Sequence, residues 1–156
     1  MNILVAIDLS PATTAIINAA ARVAQSTSAQ VWVLHIASPE PDFVGYDAGP
    51  EVVRGQVAEE FREQHRELQH YAETLRKQGV KVTALQIQGP TVESILDQAD
   101  RLQADLIITG SHGKGALMEV LVGSVSQGVL RKANCPVLIV PTRPKSWKIQ
   151  KRLSGD

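Results

Sequence analysis

A chain of 156 residues, 44% of them hydrophobic and 21% charged, is long enough for one domain with a buried core and too short for two ordinary ones. Sixteen basic residues offset sixteen acidic ones, which leaves no global field to gather nucleic acid or to hold an anionic membrane. No run approaches bilayer-spanning length, Met1 leads into a strand without a basic or long apolar leader, and the lone Cys135 has no partner for an internal disulfide. A cytoplasmic protein with no nucleic-acid partner and no membrane insertion is expected.

Ile3-Leu4-Val5-Ala6-Ile7 is a continuous apolar run, the pattern of a strand buried on both faces, and Asp8 ends it. Ser10 suits a helix N-cap and Pro11 a first helical residue, after which Ala12, Ile16, Ala19, Ala20 and Val23 share a helical face. Val31 to Ile36 is a second buried strand, followed by a Pro- and Gly-containing loop from Ser38 to Pro50 that exceeds the usual connection length. From Glu51 to Gln78, Val57, Phe61, Leu68, Ala72 and Leu75 form a helical stripe. Glu63 with Arg66, or Glu73 with Lys77, can pair on the wet side, and Gly79 stops the helix.

Val80, Val82 and Ala84 alternate with Lys81 and Thr83, which predicts a half-exposed edge strand. Thr91 can cap a helix with Val92, Ile95, Leu96, Ala99 and Leu102 on its inner face. A fourth strand over 104–109, a helix over 124–132 and a strand Val137-Leu138-Ile139-Val140 closed by Pro141 complete the alternation. Five strands alternating with four helices predict an α/β fold, a parallel sheet with helices on both faces and right-handed crossovers.

The fourth strand runs into Gly110-Ser111-His112-Gly113, and nine residues later Gly123-Ser124-Val125 opens the last helix. Glycines permit turns and also close backbone approach, and a helix start offers N–H groups with no internal acceptor. A strand, a glycine loop and a helix N-terminus in that order suit a phosphate. A P-loop is excluded because Lys114 is followed by Gly115, no dinucleotide fingerprint follows the first strand, and Ile87-Gln88-Gly89 stands where a receiver domain needs a phosphoacceptor Asp.

The Gly-x-x-Gly, nine residues, Gly-Ser spacing resembles the signature of the universal stress protein family, in its ATP-binding branch. So do Asp8 after the first strand, His35-Ile36 ending the second, and Cys135-Pro136-Val137-Leu138 introducing the last. The resemblance spans 1–141 as one domain and leaves 142–156 as a basic tail, expected to be flexible, in which Trp147, Ile149 and Leu153 are interleaved with Lys and Arg. It implies a Rossmann-like, adenine nucleotide alpha hydrolase-like sheet of order 3-2-1-4-5. It also implies ATP or AMP as ligand, with Mg or Mn able to accompany the phosphates although the sequence assigns no metal ligands.

By that resemblance the nucleotide meets Ala6, Asp8, Ile36, Gly110, His112, Gly113, Gly123, Ser124 and Val125. Asp8 can initiate the helix or accept ribose hydroxyls, and the resemblance supports the ribose; Ala6 and Ile36 would use their main chains, Ile36 at the adenine edge. His112 is either a general base or a plain phosphate contact, and Lys114 reaches a terminal phosphate or solvent. His35, His65 and His70 lack metal-ligand spacing and are expected to be structural, with His65 continuing the helix stripe, and Cys135 is expected in the core. In order 3-2-1-4-5 the last strand is an apolar edge with no charged residue, which predicts a homodimer through strand 5. The expected function is a nucleotide-binding stress-response regulator acting on an unknown client protein; the alternative is a slow ATPase or phosphotransfer enzyme.

Overall fold

The computed structural model describes residues 1–37, 50–111 and 122–142. In chain order these form β1 (Asn2–Ile7), α1 (Thr13–Thr27), β2 (Gln30–Ala37), α2 (Pro50–Lys77), β3 (Lys81–Gln88), α3 (Thr91–Arg101), β4 (Leu106–Gly110), α4 (Ser124–Lys132) and β5 (Val137–Val140). All neighbouring strands are parallel, in the order β3-β2-β1-β4-β5 expected from the resemblance.

The apolar runs have the burial that their composition demands. Strand side chains alternate between faces, so Ile3, Val5 and Ile7 of β1 join Val31, Val33 and Ile108 beneath Ile16, Ile17 and Ala20 of α1 and Leu68 and Leu75 of α2. On the other face Leu4, Ala6, Leu34 and Ile107 pack against Ile95 and Ala99 of α3 and Val129 of α4. Each fully buried Ile or Leu contributes about 1.5–3 kcal/mol of transfer from water. Edge strand β3 alternates as predicted at its start, where Lys81 and Thr83 are exposed, but from Leu85 to Ile87 it is half-covered on both sides.

Two helix starts differ from expectation, each for a local reason. The Asp8 carboxylate accepts the Ser10 N–H at 3.1 Å and Leu9 adopts φ 57°. The chain therefore turns before it coils: the Thr13 N–H donates to the Ser10 carbonyl at 2.9 Å, and α1 begins at Thr13 rather than at Pro11. In α3 the N-cap is Pro90, not Thr91, because Gly89 at φ 154° and the fixed φ of Pro90 set the entry one residue earlier. The end of α2 does follow its glycine. Gly79 at φ 79° lets its own N–H reach Arg76 O and the Val80 N–H reach Leu75 O, a Schellman closure. On the wet side Glu73 pairs with Arg76 at 3.3 Å instead of Lys77, and Glu63 lies 3.8 Å from Arg66, exposed contacts of little weight.

Gly128 allows α3 and α4 to touch. A Cβ there would lie 2.9 Å from Val92 Cγ2, and a valine on a packed helix has no spare rotamer with which to retreat. Gly128→Ala gains about 1 kcal/mol of helix propensity but forces an overpacking cost of about 1–3 kcal/mol. The expected net is a melting temperature lowered by about 2–4 °C. In a Val92→Ala background the same substitution should become neutral or stabilising, and equal effects in both backgrounds would rule out this contact as the cause.

Candidate functional site

β1 and β4 pair directly, Ile3 with Leu106, Leu4 with Ile107 and Val5 with Ile108, while β2 lies on the far side of β1 and β5 on the far side of β4. The sheet therefore reverses direction between β1 and β4, and in open parallel sheets the crevice beyond the strand C-termini at such a reversal is where ligands sit. Continued past these paired residues, the same register sets Ile7 level with Gly110 and Asp8 level with Ser111. Residues about a hundred positions apart in sequence thus meet on one lip.

Ala6 is buried on the α3–α4 face, and Ile36 and Val125 pack against the same cluster half-buried. Asp8 follows β1 with its carboxylate engaged by the Ser10 N–H. Gly110 closes β4 opposite Val140, and its carbonyl accepts the buried Ser126 hydroxyl at 2.6 Å, which ties the first turn of α4 to the end of β4. Gly123 is the N-cap of α4, with φ −68°, ψ 162° and no side-chain cap. Ser124 is exposed at the first helical position. His112, Gly113 and Lys114, the loop over 38–49 and the tail over 143–156 lie outside the described residues.

Among the described residues of 110–125, two N–H groups are already engaged within the chain. The Gly123 N–H donates to the Ser111 carbonyl at 2.6 Å and so pins the two ends of the loop together, while the Ser111 N–H donates to Val140 O at 2.8 Å. The first intrahelical bond runs from the Gln127 N–H to Gly123 O at 2.9 Å. Ser124, Val125 and Ser126 therefore present N–H groups with no acceptor inside the helix, at the positive end of its dipole. An anion placed there would meet backbone donors and no carboxylate within α4's first turn, which has no acidic residue.

Residues that the sequence analysis did not assign to the site also cluster at this end of the sheet. His35 is register partner of Ile7, with Nδ1 3.1 Å from Ile7 O and Nε2 buried without a partner. The hydroxyls of Ser10 and Thr13, in the turn that follows β1, are likewise buried and unpartnered. Such groups suit ordered water. Leu9 holds a left-handed φ while its side chain is buried, and strain of this kind persists only where surrounding packing enforces it. None of these features leaves a periodic trace in sequence.

His65 is exposed on α2 rather than continuing its stripe, with Nδ1 3.1 Å from Gln86 Oε1. Cys135 packs half-buried beside α3 and α4, where burial and then the charges of Asp100 and Asp105 push its thiol up. Among the described residues no group of three His, Cys, Asp or Glu could hold a metal ion, and no helix is long and apolar enough to cross a membrane.

The sequence and the fold have counterparts among known proteins. The profile of the Universal stress protein family matches residues 1–141. The chain is 33% identical over 128 residues to universal stress protein MJ0531 of Methanocaldococcus jannaschii, covering 81% of this chain and 72% of that one. The structure of MJ0577 from the same organism superposes with a TM-score of 0.81 at 28% identity, covering 93% of this chain and 97% of the other. A universal stress protein of Archaeoglobus fulgidus, solved in complex with dAMP, shares the fold with a TM-score of 0.62 at 24% identity, over 90% of this chain and 97% of that chain. With its sheet order, its strand-to-helix glycine loop and these matches in agreement, the chain belongs to the universal stress protein family.

Proposed function

We propose that this chain binds an adenine nucleotide, ATP or AMP, in the crevice between the ends of β1 and β4, and acts as a stress-response regulator through a homodimer. The supporting observation is Gly123. Its φ of −68° and ψ of 162° are open to any residue, so the backbone does not require glycine there. A glycine that conformation does not require fits a need for space, and beside the uncapped start of α4 the group that would use the space is a phosphate. Asp8, on the adjoining strand end, would take the ribose hydroxyls; Ala6 and Ile36 would offer main chain to the sugar and adenine; Gly110, His112, Gly113, Ser124 and Val125 would complete the phosphate cradle. Any Mg or Mn would arrive with the phosphates. A relative solved with dAMP supports an adenine ligand.

The dimer reading rests on β5. Val137–Val140 is apolar throughout and pairs with β4 on one side only among the described strands. Leu138 on β5 and Leu130 on the neighbouring helix are 38% and 53% exposed. An apolar, unpaired edge recruits another strand, and a second copy of β5 would satisfy it antiparallel. Residues 1–141 would form the regulatory domain and 142–156 a basic tail, in a cytoplasmic protein whose client is still to be identified.

Calorimetric titration with ATP and AMP tests the nucleotide. Gly123→Val should weaken binding by roughly 10- to 100-fold for each amide–phosphate bond lost, with the melting temperature little changed; undiminished affinity would refute the cradle. Steady phosphate release above blank that vanishes in the same variant would instead assign a slow ATPase. Sedimentation tests the second half: wild type should be dimeric at micromolar concentration and Leu138→Lys monomeric, whereas a monomeric wild type would remove β5 as an interface.

A further inference from the structure

We propose, resting on the nucleotide and dimer reading above, that Ser111 is a positioning residue whose hydroxyl couples the anion site at α4 to β5, the terminal strand among the described residues, so that nucleotide binding and self-association are linked through it. Ser111 is 6% exposed, and its main-chain and side-chain polar groups are all engaged across the two elements. Its carbonyl accepts the Gly123 N–H at 2.6 Å and its N–H donates to Val140 O at 2.8 Å. Its hydroxyl oxygen accepts the Thr142 N–H at 3.1 Å and lies 3.2 Å from Thr142 Oγ1.

The β4–β5 ladder has its last strand pair at Gly110 and Val140. Ser111 extends it by one backbone rung and then by a second in which a side-chain oxygen stands where a carbonyl would. The residue that closes the glycine loop is therefore the residue that fixes the end of β5. A phosphate drawn to the first turn of α4 acts on Gly123, and any displacement of Gly123 passes through one carbonyl to a side chain that holds Thr142. The edge on which a second copy would pair is set by that hold. Hydrogen bonds linked in a part-buried chain of this kind reinforce one another.

The test is titration of ATP and AMP into wild type, Ser111→Ala, Ser111→Thr and Thr142→Val, below and above the dimer midpoint found by sedimentation. Wild type should bind nucleotide more tightly as a dimer, and nucleotide should strengthen the dimer by the same factor, since linkage is reciprocal. In Ser111→Ala that factor should fall toward unity and affinity should drop about two- to tenfold, the worth of one or two neutral hydrogen bonds. Ser111→Thr should restore both, and Thr142→Val, which keeps the Thr142 N–H, should lower the factor partially. A Ser111→Ala protein that melts earlier but keeps the wild-type factor has lost only structure, and that result overturns the coupling. Equal nucleotide affinity of wild-type monomer and dimer overturns it as well. A wild type that dimerises but binds neither nucleotide overturns the underlying ligand reading itself, and the two failures are thereby told apart. Should Ser111→Ala not fold, equal nucleotide affinity of the wild-type monomer and dimer still overturns the coupling.

Discussion

The pairing of β1 with β4 is the contact on which the rest of the molecule depends. It joins strands from opposite halves of the chain, Val5 against Ile108, and it is the line across which strand order reverses. Helices can cover both faces only because the strands on either side of that line run outward in opposite directions. The crevice at its end follows from the same reversal, without any residue being dedicated to making it. Burial of Ile3, Leu4, Val5, Ile107 and Ile108 to 0% exposure holds the seam shut, so the site is supported by the most deeply buried part of the core.

Around that seam the polar bonds are few and specific. Ser126 ties α4 to the end of β4, Ser111 closes the loop and reaches β5, and Asp8 organises the turn into α1. Each uses a short side chain whose hydroxyl or carboxylate stands in for a backbone group, which is how strand ends and helix starts are satisfied when regular hydrogen bonding stops. The glycine loop is consequently anchored at both ends by residues that make no use of glycine's freedom. A buried orphan at His35 Nε2, with two more at Ser10 and Thr13, marks the same region as the one where polar atoms are left for water or ligand.

The fold was legible because its signals are local. Continuous apolar runs located β1, β2, β4 and β5, alternation located β3, and helical stripes located α1, α2 and α3; α4 and β5 begin and end where the sequence placed them, at Ser124–Lys132 and Val137–Val140. The strand order came from resemblance rather than from periodicity. Helix starts were less legible: Ser10-Pro11 carries good capping chemistry, yet the Asp8 carboxylate and the left-handed Leu9 consume those residues in a turn first. Within the site, the motif identified the glycines and the helix start. It could not identify Ser111 and Thr142, 31 residues apart, or Ser126 and Gly110, 16 apart, because hydroxyls in such bonds look in sequence like any surface serine or threonine.

The two margins of the sheet are not alike. β3 begins with an exposed lysine, and its Gln86 amide donates to the Phe61 carbonyl of the helix lying over it, whereas β5 is short and aliphatic from end to end. Under the proposed pairing of β5 with a second copy, the sheet would be extended once and would then end in a β3 at each border. Growth by strand addition is self-terminating under that asymmetry. With that pairing, an aliphatic strand would serve assembly without the hazard of building fibres.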